Sequence, residues 1–177
     1  MLPTTFQTNR LVARLPVASD SAHLFAAYTS KAEVSRYMMW QPHTEVETTE
    51  VFVAECIAAA SGGTRLPYVL ARRDKPDLPI GMLEARPSGH KVDLGYVLAP
   101  EHWGQGLMPE AISSLASLAL GQAEYFRIQA FCDVENLPSQ RTLEKASFVR
   151  EGRHERFVVH PNMSAEPRPC FMYARCK

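Results

Sequence analysis

The chain has 177 residues, and its 19 lysines and arginines match 19 aspartates and glutamates, so its formal charge is zero. That length suits one domain, residues 1–177, with a core of its own, and the balance lacks the basic excess of a nucleic-acid binder. No apolar run approaches the roughly 18 residues of a membrane span and residues 1–10 lack an export-signal pattern, so a soluble, cytoplasmic protein is expected.

The first strand is expected at residues 9–15, where Leu11, Ala13 and Leu15 alternate with Val12 and Arg14. Ser19 and Asp20 then offer a helix cap, and Ala22, Phe25 and Ala26 share one side of the helix that follows. A short apolar and aromatic segment, residues 34–40, ends before Pro42. Thr44 and Glu47 have the spacing of a capping box, which predicts a helix from there through Ala59, closed by Ser61, Gly62 and Gly63. Residues 66–72 and 80–86 read as strands separated by a turn-rich run at 73–79.

The most informative stretch is residues 91–122. Val92, Leu94, Tyr96 and Leu98 alternate with Asp93, Gly95 and Val97, which predicts a strand and, with the two before it, an antiparallel meander. Pro100 stops it. From Ala111 the apolar residues recur at helical spacing, with Pro109 and Glu110 in the first turn. Between strand and helix stand His102, Trp103, Gly104, Gln105, Gly106, Leu107 and Met108. A glycine turn feeding a helix directs unpaired N–H groups and the positive end of the helix dipole one way, a natural seat for phosphate. No Gly-Lys-Ser/Thr follows, and Pro109 rules out a full GxGxxG.

Residues 126–132 predict a further strand, and Asn136 caps a helix over 138–146. Residues 148–159 and 170–176 read as two closing strands around the proline-rich loop 160–169; both are candidate edges for pairing between subunits, so monomer and homodimer stay open. Cys56, Cys132, Cys170 and Cys176 form no CxxC pair and are expected as reduced thiols. His154, Glu155 and His160 miss HExxH spacing, so no metal is expected.

Strands, then strand, glycine turn, helix, strand, helix and strands resembles the GNAT N-acetyltransferase superfamily. The runs Thr8-Asn9-Arg10-Leu11, Arg36 to His43, Ile80-Gly81, Leu94 to Leu98, His102 to Gly106, Pro109-Glu110-Ala111, Asn136 to Ser139 and Leu143 to Phe148 sharpen the likeness to its RimJ/RimL-type branch. Met108 and Trp103 depart from commoner residues in the turn, and Ser147 replaces a usual glycine. The resemblance implies an α+β (α/β) GNAT fold: a mostly antiparallel, mixed, twisted sheet of about seven strands flanked by about four helices. It implies acetyl-CoA as co-substrate, with its diphosphate on the amides of Gly104, Gln105, Gly106, Leu107 and Met108 beside Trp103. The strand of Tyr96, Val97 and Leu98 would splay from its neighbour and pair with the pantetheine arm, and an amide of Val97 or Leu98 would face the developing oxyanion. Asn136 would contact that arm.

Acyl transfer to an amine needs a neutral nucleophile and a leaving thiolate that can be protonated. An α-amine near pKa ~8 costs about 1.4 kcal/mol to deprotonate at pH 7, a lysine near ~10.4 about 4–5 kcal/mol, so an α-amine tolerates a weak base. Ser139 is the candidate donor to the sulfur, with plain helix capping as the alternative. Glu84, in a strand where related enzymes carry a carboxylate facing the acceptor, is the candidate base, Asp93 the second; a solvent-facing residue or relayed water is the alternative. Met38, Trp40 and His43 are placed by the resemblance at the acceptor groove, beside Glu84, unless they are only a hydrophobic lid. Tyr96 reads as core or substrate wall, and Cys132 as core rather than an acyl carrier.

These signs add up to an enzyme that moves acetyl from acetyl-CoA to a primary amine, either a protein N-terminus or a small molecule, by direct attack. The competing readings are a catalytically silent acyl-CoA-binding protein on the same scaffold and a small-molecule binding domain without CoA.

Overall fold

The alternating runs at the centre of the chain do form a meander. In the computed structural model, which describes residues 1–177, β3 (Leu66–Arg72), β4 (Lys75–Ser88) and β5 (Lys91–Leu98) pair antiparallel in succession. β1 (Thr5–Gln7) and β2 (Leu11–Arg14) extend the sheet on one side, and β6 (Arg127–Asp133), β8 (Arg168–Cys176) and β7 (Val149–Val158) on the other. The spatial order is β1-β2-β3-β4-β5-β6-β8-β7, and only β5 with β6 is parallel. A mixed, mostly antiparallel sheet is thus as expected, with eight strands rather than about seven.

Five helices flank it: α1 (Ser21–Leu24), α2 (Ala32–Ser35), α3 (Val46–Ser61), α4 (Leu107–Leu120) and α5 (Leu137–Lys145). The apolar stripe of α4, including Ala111, Ile112, Leu115 and Ala119, is buried against Leu94, Leu98, Ile128 and Ala130 in a cluster of 27 residues. The opposite face carries Leu24, Tyr28, Val53 and Cys56 over Val69 and Met82, a cluster of only 8. The face under α4 is therefore the main core, and the weaker face is where the segment between α2 and α3 can line a cavity.

Several boundaries differ from the sequence reading. The Thr44 capping box does not form: α3 starts at Val46 with Glu45 as its cap residue, because His43 N donates to Thr29 O and holds the approach extended. The run at 73–79 is mostly strand, with register shifts at Leu70, Ala71 and Arg72 absorbing its prolines. β8 lies between β6 and β7, so only β7 is an exposed edge on that side.

Near α5 the residues act as read. Asn136 Oδ1 accepts from Ser139 N at 3.2 Å, a side-chain cap. At the other end Ser147 N donates to Glu144 O and Phe148 N to Leu143 O, a Schellman closure. That closure requires a left-handed residue, and Ser147 supplies it at φ 65°.

Candidate active site

β5 and β6 pair only at Lys91–Arg127, Val92–Ile128 and Asp93–Gln129. Beyond that point β5 stays on β4 as far as Leu98, while β6 stays on β8 as far as Asp133. The two central strands therefore open as a V. Its β5 wall has a definite polarity. Ala99 N donates to Ile80 O, and strand alternation turns the amides of Val97 and Gly95 the same way, towards β4. The amides of Leu98 and Tyr96 then face the open side, so of the two amides expected to meet an oxyanion, Leu98 is the one available. The Leu98 carbonyl is taken by Trp103 Nε1 at 2.7 Å, which pins the strand end to the turn that follows.

That turn has Gly104 at φ 73° and Gly106 at φ 72°, a left-handed geometry that glycine enters without a Cβ penalty. None of the amides of Gly104, Gln105, Gly106, Leu107 and Met108 has an intramolecular acceptor, and Glu110 N is the first to bond back, to Gly106 O. Pro109 has no N–H to offer. Five consecutive free amides at the start of α4, with no Cβ on two of them, fit a diphosphate.

The cradle is braced from outside by a tie the sequence reading missed. Arg10 Nη1 donates to Gln105 O at 2.9 Å, turning that carbonyl away from the cradle, and Arg10 Nε donates to Glu110 Oε2 at 2.7 Å. Thr8 Oγ1 and Arg10 N both donate to Glu110 Oε1. The only sequence signal for it was that both ends of the tie fall in the quoted family-like runs.

Two cavities meet at the V. One, of about 440 Å³, is lined by Trp103, Gly104, Gly106, Leu107 and Met108 on the turn, Leu98 on β5, and Arg141, Thr142 and Lys145 on α5. The other, of about 300 Å³, is lined by Met39, Trp40, Phe52, Arg65, Glu84, Arg86, Phe131, Cys132, Asp133 and His160. They share Tyr37, Met38, Tyr96, Val97, Asn136 and Ser139. Every candidate for the cofactor side therefore lines the first cavity except Gln105, whose side chain turns back to Glu101 O. Met38, Trp40 and Glu84 line the second. His43 and Asp93 line neither: His43 Nδ1 pairs with Thr49 Oγ1 at 2.8 Å behind Trp40, and Asp93 Oδ1 accepts from Gln129 Nε2 at 2.6 Å.

At the junction Tyr96 Oη and Ser139 Oγ are 2.6 Å apart. Burial raises the Tyr96 hydroxyl, against the opposing effect of Ser139, so it holds its proton at neutral pH. Burial likewise pushes the Cys132 thiol up to about 11, with Ser139 opposing; a thiol so placed is not a thiolate nucleophile at pH 7. Glu84 Oε1 accepts from Arg86 Nη1 at 2.9 Å and its Oε2 from Arg65 Nη1 at 3.4 Å. Asp133 is buried and held by Arg168 Nε at 2.6 Å. Burial would raise its carboxyl, but Arg168 and the Glu135 amide outweigh this and hold it below the ordinary carboxylate range. His160 is 2% exposed, neither ring nitrogen has a hydrogen-bond partner, and burial lowers its pKa.

The family profile described as acetyltransferase (GNAT) domain matches residues 10–149. Among curated relatives, "Uncharacterized N-acetyltransferase YoaA" of Bacillus subtilis (strain 168) is 28% identical over 148 residues, 82% of this chain and 83% of that protein. The Microcin C7 self immunity acetyltransferase MccE, solved with acetyl-CoA and AMP, superposes with a TM-score of 0.86 at 16% identity, covering 99% of this chain and 97% of that one. Mycobacterium smegmatis RimJ, solved with CoA-disulfide, superposes with a TM-score of 0.83 at 18% identity, covering 99% and 90%.

Proposed function

Because the chain belongs to the GNAT acetyltransferase family and is thus an acetyl-CoA-dependent N-acetyltransferase, we propose that it acetylates a primary α-amine, on a peptide N-terminus or a small molecule, by direct attack. The observation that carries this reading is the meeting of two cavities at Tyr37, Met38, Tyr96, Val97, Asn136 and Ser139. A donor entering from one side and an amine from the other reach the same few atoms together, and no carrier on the protein is needed.

Bound acetyl-CoA supplies the acetyl group already activated as a thioester. The free amides of Gly104 to Met108 hold the diphosphate, and the outward amides of Tyr96 and Leu98 offer the backbone edge along which an extended arm can lie. A preorganised amide of this kind, Leu98 N–H for choice, stabilises charge developing on the carbonyl oxygen. Ser139 gives its proton to the departing sulfur and takes one back from Tyr96, which recovers its own from water, since burial keeps the phenol in its protonated form at neutral pH. Glu84 lies on the acceptor side, but both its oxygens already accept from guanidinium N–H groups, so the amine's proton reaches it through water or by displacing an arginine. An α-amine asks least of such a base, roughly 3 kcal/mol less than a lysine.

Initial-rate kinetics in both substrates, with intact-mass measurement of protein incubated with acetyl-CoA alone, tests the reading. Intersecting double-reciprocal lines and an unmodified mass are expected; parallel lines with an acetyl adduct on Cys132 would overturn direct attack.

A further inference from the structure

The acceptor cavity carries two guanidiniums that the transfer chemistry does not account for. Glu84 sits between Arg65 and Arg86 and uses one N–H of each. Each guanidinium has five donors, so both keep most of theirs, and the two side chains are 33% and 36% exposed. Asp133, the other acid in the wall, is matched by Arg168, and His160 is kept neutral by burial. Arg168 also pairs with Glu135, so the charges of this wall balance, and what Arg65 and Arg86 hold in excess is N–H donors.

Gly95 shows where those donors lie. A side chain there would put its Cβ 3.1 Å from Arg86 Nη1 and 3.4 Å from Nη2, so the Arg86 guanidinium occupies the space over β5 at its one residue without a side chain. Gly95 and Val97 are on the same face of β5, two residues or about 7 Å apart, and Val97 belongs to the junction of the two cavities. A lone ammonium brings no acceptor for these donors. An amine that brings its own carboxylate is attracted, and a planar carboxylate suits the fork of an arginine.

Resting on the N-acetyltransferase reading, we propose that Arg86 and Arg65 bind a carboxylate of the acceptor, which is therefore a primary amine with an acid group within about 7 Å of its nitrogen. Glu84 holds the pair apart and in place. A free amino acid and a peptide with an acidic first residue share this chemistry, and the test separates them.

Binding is measured by titration calorimetry on the protein loaded with CoA, a dead-end complex that needs no turnover. Glycine is compared with glycinamide, and glutamyl-dialaninamide with glutaminyl-dialaninamide. In at least one pair the acid is expected to bind about tenfold or more tightly than the amide, the first pair pointing to free amino acids and the second to peptides. In Arg65→Gln with Arg86→Gln the ratio should fall to within about twofold, and Arg86→Lys should restore part of it. The ratio is taken within each variant, so partial loss of folded protein cancels. Equal binding of acid and amide in both pairs, or a preference that survives in the double variant, overturns the proposal. Thiol release from acetyl-CoA is followed separately. Acid binding with no release for any amine sinks the transferase reading and leaves the carboxylate site; release at equal efficiency with acid and amide sinks the site and leaves the transferase.

Discussion

The hydroxyls of Tyr96 and Ser139 are hydrogen-bonded at 2.6 Å across the line where the two cavities join. Ser139 is oriented by its place in the first turn of α5, capped by Asn136, and Tyr96 by its place on β5. Ser139→Ala is expected to lower kcat by about a hundredfold, the lower end of proton-transfer catalysis, while the KM for acetyl-CoA changes little. Tyr96→Phe should cost less, because Ser139 keeps its own proton and loses only the refilling partner. Steady-state thiol release at saturating acceptor reads both; an unchanged kcat in Ser139→Ala removes serine from the proton path.

Glu110 touches no part of the cradle's inner surface, yet it fixes Arg10, which fixes the Gln105 carbonyl. Glu110→Ala should weaken acetyl-CoA binding by about tenfold, a size typical of lost support behind a ligand-holding group. Calorimetry with CoA checks this. An unchanged affinity would mean that the glycine turn keeps its shape unaided.

Glu84→Gln is expected to lower kcat without altering CoA affinity, since Glu84 lines the smaller cavity and not the one under the glycine turn. Activity retained in full would assign the amine's proton to water alone.

Acid should unfold the protein in two stages. His43 and His160 both have pKa values lowered by burial. Below about pH 6.5 the unfolded chain takes up protons that the folded chain refuses, so stability falls as pH drops through that value. Glu110, which burial would raise but which Thr8 and Arg10 hold low, and Asp133 contribute stability that is present above about pH 4 and lost below it. Thermal melts across pH 3 to 8 test this: His160→Phe should shrink the first stage and leave the second. A melting temperature flat from pH 8 to 5 would contradict the assignment.

Ser147 occupies the left-handed position that closes α5, at φ 65°. Ser147→Gly relieves about 1 kcal/mol of backbone strain, worth roughly 2–4 °C in melting temperature for a chain of this size. A melt that does not rise would show that the serine side chain offsets its own strain.

The meander, the glycine turn and the Asn136 cap were legible because each is written locally, in alternation, in glycine and proline, or in a side chain three residues from its partner. β1 was not: three residues with only Phe6 buried give no period to detect. The Thr44 box had the right spacing, but the contact of His43 with Thr29 outweighed it. Within the site, the wall of the larger cavity was legible since much of it is one continuous turn. The smaller cavity was not. Arg65, Arg86 and His160 come from β3's approach, β4 and the loop before β8, and they meet only after the sheet has assembled. Among candidates drawn from position alone, Glu84 falls in the cavity, and Asp93, nine residues on, falls on the closed end of the V beside Gln129.

The short join between β5 and β6 leaves the sheet as two leaves, one of five strands and one of three, bound along a spine of three residue pairs and by α4 packed across both. A pantetheine arm lying in the gap would work as a clasp, lending each leaf the edge its neighbour withholds. Loaded protein should then resist heat and proteases in proportion to occupancy, and shedding spent CoA should loosen the spine, tying product departure to a breathing of the whole sheet.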